Sequence, residues 1–434
     1  MEKLGWHSLG TSFDCTCGIR HSLPIQACMI GEDAADALAK FAAERCGHRA
    51  FILADVNTAR FVDAVRQALE KRGKAVFVHI PSEREIEATD EKAEEIAALG
   101  RDSDFYVAVG AGTLSDLVKS AGNEQHKPVL LYPTAASMNG YTSAIVALKV
   151  RGLKRTLPCT PATAVFADPA VAATAPQRMT AAGLADFLSK CSSSADWRAA
   201  HILRGEYYCH RPREFNEGIQ ERLFEHADAI GRGEPSAVRL VLEALLLSGF
   251  GMVVAGSSAP ASGGEHLISH YIDMKHSLYG VPNDLHGAQV GIGTIYTLGL
   301  WERVLSLAPS DVDTETCVKQ QLPEEAIRKR IFEDWGETVG AEVMAQWEAK
   351  RLTEASLRKE IETFKQRLGE LQEKLAEDLQ PASRVEAVIR TAGGPTRPEE
   401  TPTPAHHYED AKRYARFIRN RFTVLDLAAE LAIV

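Results

Sequence analysis

Four of the chain's 14 histidines lie in residues 262–287, which read SGGEHLISHYIDMKHSLYGVPNDLHG. His266 and His270 are four positions apart, so they share one face of a helix. His286 follows beyond a turn, on a separate element. Two histidines from separate elements and one carboxylate can hold a divalent metal and leave a position for substrate. Ordinary core and surface histidines are the alternative.

A carboxylate for such a site is present in the segment GLADFLSK, where Asp186 lies among apolar residues with helical spacing. A buried carboxylate is costly without a partner, so Asp186 should have one. Two imidazoles and one carboxylate suit zinc, nickel and iron alike. The sequence therefore indicates a metal site without identifying the metal.

The eight cysteines include the CxC pair Cys15 and Cys17, and they form no CxxC pair. A zinc site built on Cys15 and Cys17 needs two more ligands, and His21 is one candidate. Scattered cysteines in a chain of this length favour the other interpretation, reduced structural thiols in a cytosol.

A glycine turn, Gly110–Ala111–Gly112–Thr113, joins a predicted strand to a predicted helix. Small residues let the backbone approach a phosphate, and the helix N-terminus offers N–H donors. The turn lacks the GxGxxG fingerprint of dinucleotide sites, because Ser115 stands where the third glycine would be. Such turns also close strand–helix units that bind no ligand.

Two further polar positions follow predicted strands, where open α/β sheets bind ligands. Asp55 can hydrogen-bond the ribose of a dinucleotide or cap the next helix. The loop YPTAASMNGYTS carries Thr134, Ser137 and Asn139, and an ordinary Asn-Gly turn is its alternative interpretation.

Strand and helix patterns alternate up to about Thr163, which predicts a parallel, doubly wound sheet. Helical periods dominate afterwards, including a long, charged amphipathic helix at residues 352–379. We therefore predict an α/β nucleotide-binding domain at residues 1–163 and a helical metal- and substrate-binding domain at residues 164–434. The apolar residues 237–256 contain Arg239 and Glu243, which favours a buried helix over a membrane span.

The composition is that of an ordinary globular protein, with 434 residues, 45% hydrophobic and 25% charged. The net charge of -10 and the lack of a long basic block predict no nucleic-acid partner. The first residues show no apolar signal-peptide core, so we expect a cytoplasmic protein.

Several segments together resemble the sn-glycerol-1-phosphate dehydrogenases, in particular their bacterial branch. The segments are GAGTLSDLVK, PTAASMNGYTS, AAGLADFLSK followed by ADW, GGEHLISH, LHGAQVGIGT and RFTVLDLAAEL. This family lies within the iron-containing alcohol dehydrogenase and dehydroquinate synthase-like superfamily. The resemblance covers nearly the whole chain and implies a Rossmann-like α/β domain followed by an all-α domain, the dehydroquinate synthase-like fold.

The resemblance also implies roles for individual residues. Asp186, His266 and His286 would bind one divalent metal, zinc, nickel or iron, and His270 would face the substrate. Asp55 would lie near the adenosine ribose of NAD or NADP, and its carboxylate favours NAD because it would repel a 2′-phosphate. His276 matches no site residue of the family. The remaining cofactor contacts would be Gly112, Thr113, Leu114, Ser115, Asp116, Thr134, Ala135, Ala136, Ser137 and Ser143.

The implied reaction interconverts dihydroxyacetone phosphate and sn-glycerol 1-phosphate. The metal would act as a Lewis acid on the C2 oxygen, and hydride would pass between C2 and the nicotinamide. A proton would arrive through His270 or water. The implied partners are a small phosphorylated substrate and a second copy of the chain in a homodimer.

One position departs from the family pattern, because Asn139 stands where the family loop usually has aspartate. Asparagine keeps a hydrogen bond but cannot take a proton or supply charge. Asn139 therefore leaves open another phosphorylated polyol or carbonyl substrate, or a cyclase or lyase that recycles bound NAD as dehydroquinate synthases do. A protein that binds nucleotide and metal without catalysis is a further alternative.

Overall fold

The computed structural model describes residues 3–150 and 153–434, and its strands all precede residue 168 in the described part. The strands are β1 Thr11–Asp14, β2 Arg20–Leu23, β3 Ala27–Ile30, β4 Arg49–Leu53, β5 Ala75–His79, β6 Phe105–Gly110, β7 Val129–Pro133, β8 Ile145–Val150, β9 Leu153–Pro158 and β10 Ala164–Ala167. Six of them form one parallel sheet in the order β3-β10-β7-β6-β4-β5. The predicted parallel α/β sheet is confirmed, and β1-β2 and β8-β9 are separate antiparallel hairpins.

Helices connect the strands and make up most of the chain after β10. They are α1 Ala34–Arg45, α2 Val62–Lys71, α3 Asp90–Leu99, α4 Gly112–Glu124, α5 Pro169–Ala172, α6 Gln177–Leu188, α7 Lys190–Arg204, α8 Ile219–Glu225, α9 Ala227–Gly231, α10 Pro235–Ala255, α11 Gly264–Tyr279, α12 His286–Leu305, α13 Thr314–Lys319, α14 Glu324–Glu348, α15 Glu354–Leu375, α16 Ala382–Thr391, α17 Ala405–Tyr414 and α18 Val424–Glu430. The predicted change from alternating strands and helices to helices alone is thus confirmed.

The sheet is covered by helices on both faces because alternate strand residues point to opposite sides. Phe51 and Leu53 of β4 pack in one core cluster with residues of α3 and α4. Ala50 and Ile52 of the same strand pack in another cluster with residues of α1 and α2. All of β6 is buried, as expected for a central parallel strand between two helical layers.

The strand order reverses direction between β4 and β6. From β4 the chain proceeds to β5 on one side, and then β6 adds to the other side of β4. Ligands of open α/β sheets bind at such a switch point, outside the carboxyl ends of the strands. Asp55 follows β4 and the glycine turn follows β6, so the fold brings these two candidate cofactor sites to one edge of the sheet.

The chain divides into two compact units, each built from separated segments. Unit 1 comprises Met1–Phe187, Cys209–Ser258 and Thr391–Gly394, and unit 2 comprises Leu188–Tyr208, Ala259–Arg390 and Pro395–Val434. The sheet belongs to unit 1. A domain boundary between residues 163 and 164 stays a prediction, because compactness does not show which segments fold on their own.

Helix α10 is apolar and long enough to cross a membrane, with a mean hydropathy of 1.9 in its most apolar window. In the structure 83% of that window is buried, and Gly249 of α10 packs against Thr142. Helix α10 is thus a core helix of unit 1, as predicted.

In unit 2, helix α15 confirms the predicted amphipathic helix within residues 352–379. Leu357, Ile361, Phe364 and Leu368 are buried at helical spacing, while most charged side chains remain at the surface.

Candidate active site

The glycine turn leaves the N-terminus of α4 without a side-chain cap. Its N-cap residue is Ala111, which offers no side-chain acceptor, and the first turn contains no acidic residue. The first backbone N–H groups of a helix lack intrahelical acceptors and lie at the positive end of its dipole. Here the N–H of Ser115 is bonded to the carbonyl of Ala111 at 3.1 Å, so Gly112, Thr113 and Leu114 present the N-terminal N–H groups. This arrangement suits a phosphate.

Gly112 also lies close to the loop that follows β7. A Cβ atom at Gly112 would be 2.9 Å from Cε of Met138. The side chain of Leu114 is buried beneath the turn, whereas Thr113 is exposed at its surface. The exposed edge of the turn is therefore backbone and small side chains, as the sequence predicts for a phosphate-binding loop.

Asp55 at the neighbouring strand end holds the turn that follows β4. Its Oδ1 atom accepts hydrogen bonds from the backbone N–H groups of Asn57 and Thr58, both at 2.8 Å. The hydroxyl of Thr58 also donates to Oδ1, at 3.0 Å. These bonds use only one carboxylate oxygen, and they close the turn before α2 rather than cap that helix, whose N-cap residue is Phe61. Oδ2 takes no part in these bonds.

Asp116 and Ser143 lie beneath the surface rather than at the edge of the sheet. Asp116 accepts a hydrogen bond from the backbone N–H of Ala147 at 3.0 Å, and Lys119 Nζ lies 3.9 Å from it. Burial raises the pKa of Asp116 and lowers the pKa of Lys119. The hydroxyl of Ser143, which is fully buried, donates to the carbonyl of Ile145.

Lys119 ties this buried group to the loop above it. Its ammonium donates to the carbonyls of Gly140 and Ile145 at 2.9 and 2.7 Å. Asp116, Lys119 and Ser143 thereby hold the loop that contains Asn139. Direct contact of Asp116 or Ser143 with a cofactor stays a prediction. The hydrogen bonds observed for these two residues position the loop.

The loop after β7, Thr134 to Ser137, rests on helix α6. A Cβ atom at Gly183 would be only 2.0 Å from the carbonyl oxygen of Ala136, so the loop requires glycine at this helix position. The hydroxyl of Tyr141 donates to the carbonyl of Ala135 at 2.7 Å. Thr134 is buried, and Ser137 lies 3.4 Å from the Tyr141 hydroxyl.

Helix α6 also carries Asp186, three residues after Gly183. Asp186 is fully buried, and its Oδ2 atom accepts a hydrogen bond from the backbone N–H of Asn139 at 2.9 Å. The side-chain Nδ2 of Asn139 is buried without a hydrogen-bond partner among the described residues. The structure therefore brings Asn139 and Asp186 together, with a donor of Asn139 available to a ligand.

Three of the four histidines of residues 262–287 form a cluster in unit 2. His266 and His270 lie on α11, as predicted, and α12 begins at His286. The ring centroids are 5.1 Å apart for His266 and His286, 5.9 Å for His266 and His270, and 5.7 Å for His270 and His286. His276 lies apart, with Nδ1 2.9 Å from the carbonyl oxygen of Val281.

Two histidines of the cluster are held at Nδ1. His266 Nδ1 lies 2.8 Å from Oε1 of Glu265, and His286 Nδ1 lies 3.1 Å from Oγ of Ser269. A carboxylate acceptor at Nδ1 fixes the tautomer that carries its lone pair on Nε2. Glu265 and Ser269 were not among the predicted site residues. Glu265 directly precedes His266 in GGEHLISH, which was the available signal.

Glu265 belongs to a buried acidic group at the N-terminus of α11. Its Oε1 atom accepts from the backbone N–H of Gly263 at 2.6 Å, and Asp196 accepts from that of Gly264 at 2.8 Å. Burial and then the nearby Glu265 raise the pKa of Asp196 well above its usual range. Asp196 also accepts from the indole of Trp301 at 3.0 Å. These bonds fix the start of α11 and hence the position of His266.

Comparisons with known proteins show that the chain is similar to alcohol dehydrogenases in part of its sequence and in its fold. Residues 29–176 match the sequence model of the iron-containing alcohol dehydrogenase family. The structure resembles that of an alcohol dehydrogenase from Oenococcus oeni, with a TM-score of 0.58 and 14% identity over 94% of this chain and 97% of the other. This likeness shows the fold.

Relatives that are similar in sequence define the family more narrowly. A glycerol-1-phosphate dehydrogenase of the NAD(P)+ type from Geobacillus stearothermophilus is 29% identical, covering 97% of this chain and 96% of its own length. Another, from Bacillus licheniformis, is 31% identical over 76% of this chain and 83% of its own length. With its alcohol dehydrogenase fold, the chain therefore belongs to the glycerol-1-phosphate dehydrogenase family of oxidoreductases.

Proposed function

We propose that the chain interconverts dihydroxyacetone phosphate and sn-glycerol 1-phosphate with NAD or NADP and one divalent metal. The family relationship supports the reaction class. The observation in the structure that carries the proposal is the histidine pair His266 and His286, each held at Nδ1 by a buried neighbour. In histidines that ligate metals, a hydrogen bond at the ring nitrogen that does not bind the metal orients the imidazole.

We propose Asp186, His266 and His286 as the metal ligands. They offer one carboxylate oxygen and two imidazole nitrogens, a donor set that fits zinc, nickel or iron. The bond to Glu265 makes Nε2 the ligating nitrogen of His266. A bound divalent ion would supply Lewis-acid polarisation of the substrate's C2 oxygen.

The protein's own groups would position the substrate and move the proton. His270 shares a helix face with His266 and is the proposed proton donor to the C2 oxygen in ketone reduction. The buried amide of Asn139 would donate a hydrogen bond to the substrate. The backbone N–H of the same residue, Asn139, orients Asp186 on α6.

The nicotinamide cofactor would bind at the switch point of the sheet. Its pyrophosphate would accept from the N–H groups of Gly112, Thr113 and Leu114, next to Ser115. Oδ2 of Asp55 would accept from the adenosine ribose, which favours NAD over NADP. Thr134, Ala135, Ala136 and Ser137 would line the nicotinamide side, with Asp116 and Ser143 supporting them.

Asn139 supports a second candidate within the same superfamily. Without the carboxylate, the site could instead reduce another phosphorylated carbonyl compound, or recycle bound NAD in a cyclase or lyase reaction. Product formation without net NADH consumption would identify the recycling reaction.

The decisive assay is NADH oxidation by metal-reconstituted protein with dihydroxyacetone phosphate, with zinc, nickel and ferrous iron tested separately. We expect metal-dependent turnover. His266→Ala and His286→Ala should each lose the active-site metal and turnover together, whereas His276→Ala should keep both. If His266→Ala or His286→Ala keeps both, the ligand assignment is wrong. Absence of turnover with metal and NADH bound would reject this substrate and favour the second candidate.

We also propose a cytoplasmic homodimer that acts on a small phosphorylated substrate. The resemblance to the family supports the homodimer and the substrate, and the lack of an apolar signal-peptide core supports the compartment. Light scattering of the purified chain tests the dimer, and a monomer at micromolar concentration would reject it.

A further inference from the structure

Three cysteines and one histidine meet in unit 1, on elements that the proposed reaction does not use. Cys15 and Cys17 lie on the turn of the β1-β2 hairpin, His21 lies on β2, and Cys209 comes from the segment after α7. One ligand atom from each of these four residues lies within 4.8 Å of all the others. His21 and Cys209 are buried, and Cys15 and Cys17 are half-buried.

The distances in this cluster are close to the edges of a zinc coordination tetrahedron. Zn–S and Zn–N bond lengths imply edges of about 3.8 Å between two sulfurs and about 3.6 Å between sulfur and nitrogen. The Cys15 and Cys209 sulfurs are 3.7 Å apart, and the Cys209 sulfur lies 3.5 Å from His21 Nε2. The Cys17 sulfur lies nearer to His21 Nε2, at 3.1 Å. Slight separation of Cys17 and His21 would admit an ion.

The hairpin turn is shaped to present both of its cysteines. The Cys15 N–H donates to the carbonyl of Ile19 at 3.2 Å, and the Gly18 N–H donates to the carbonyl of Cys15 at 3.0 Å. Gly18 has φ of 84°, a left-handed conformation that favours glycine. This tight turn brings Cys17 back over β2, where His21 pairs with Phe13.

The fourth residue is fixed independently of the hairpin. A backbone N–H of Arg211 is hydrogen-bonded to the Cys209 sulfur. A 3-10 turn at residues 211–216 then packs along α10, which also contacts β2. Both halves of the cluster are therefore anchored on the same core helix.

We propose that Cys15, Cys17, His21 and Cys209 form a structural zinc site, separate from the active site. Three thiolates and one imidazole complete a tetrahedron, so the ion would have no position for substrate. The site would tie the β1-β2 hairpin to a segment almost 190 residues later in the sequence. Because the unfolded chain lacks such a site, zinc binding would add to the stability of unit 1.

Cobalt spectroscopy tests this site apart from the catalytic one. The variant H266A/H286A removes two proposed active-site ligands and leaves the cluster intact. We expect purified H266A/H286A to retain about one equivalent of zinc. With cobalt(II), it should show intense sulfur-to-cobalt charge transfer and the visible bands of tetrahedral coordination. Imidazole and carboxylate ligands cannot produce the charge-transfer band.

Cys209→Ser in the H266A/H286A background should lose the retained zinc and the charge-transfer band. Cys46→Ser is the matched control, because Cys46 is the C-cap residue of α1 and lies outside the cluster, and it should change neither readout. If a cysteine variant fails to fold, thiol titration of H266A/H286A still tests whether the cluster cysteines hold zinc. The proposal would be overturned if purified H266A/H286A, with all four cluster residues intact, held no zinc. A Cys15–Cys209 disulfide detected by mass in freshly purified protein would overturn it as well.

Discussion

The backbone N–H of Asn139 donates a hydrogen bond to the buried carboxylate of Asp186 at 2.9 Å. A residue of the loop after β7 is thereby attached to the carboxylate that we propose as a metal ligand. The bond depends on the backbone, so any residue except proline at position 139 can preserve it. The side chain of Asn139 is then available for substrate.

Replacement of Asn139 tests its side-chain donor. Asn139→Ala should lower kcat/KM about ten- to a hundredfold, because a buried donor to the substrate would be lost. Asn139→Asp should add an ionisation to the pH profile of kcat/KM, since a second carboxylate would stand near Asp186. Steady-state kinetics across pH measure both effects. An unchanged kcat/KM in Asn139→Ala would show that the amide does not contact the substrate.

Glu265 should strengthen metal binding through His266. Glu265→Gln keeps an acceptor for Nδ1 but removes the charge that makes the imidazole more basic, so we expect about tenfold weaker metal binding. Glu265→Ala removes the acceptor as well and should weaken binding further. Competition with a chelator measures the affinity. Equal affinities of all three proteins would contradict a role of Glu265 in the metal site.

Gly183 should be required for the position of the loop after β7. Gly183→Ala places a methyl group against the carbonyl of Ala136 and should destabilise the protein by about 1–3 kcal/mol. It should also weaken NADH binding, measured by calorimetry. Gly369→Ala on α15 is the control, because its Cβ would meet nothing within 4 Å. This control should be neutral or stabilising by up to about 1 kcal/mol.

Glu430 should make the stability of the protein depend on pH. Burial and then repulsion from Glu360 raise its pKa from 4.5 to about 8. The folded state therefore binds a proton at Glu430 more tightly than the unfolded state does. The resulting contribution to the free energy of unfolding is full below pH 4.5 and is lost as pH rises through 8. Glu430→Gln should flatten the fall of Tm across this interval. The exposed Glu337→Gln should keep the wild-type slope, and an equal slope in Glu430→Gln would refute the assignment.

Local patterns were sufficient to predict most of the sheet and its helices. Strand β6 and helix α4 follow from an apolar run, a glycine turn and a helical period within residues 105–124. Strands β3 and β10 were not predicted, because each has four residues and its pairing partner is distant in the sequence.

The candidate site was predictable where side-chain type alone carries the chemistry. The histidines and Asp186 stood out as polar residues in apolar segments. Glu265 did not, because its role depends on how Gly263 and Gly264 start helix α11. Cys209 likewise gave no signal, since only the folded chain brings it to His21.

The position of β10 in the sheet sets the order in which a growing chain can assemble. Strand β3 is at the edge of the sheet and pairs there with β10, which is made more than 130 residues later. At usual rates of translation the interval is roughly 7–26 s. Until Ala167 leaves the ribosome, the backbone of β3 remains unpaired in the nascent polypeptide. The early part of the chain thus carries an unpaired strand until synthesis reaches β10.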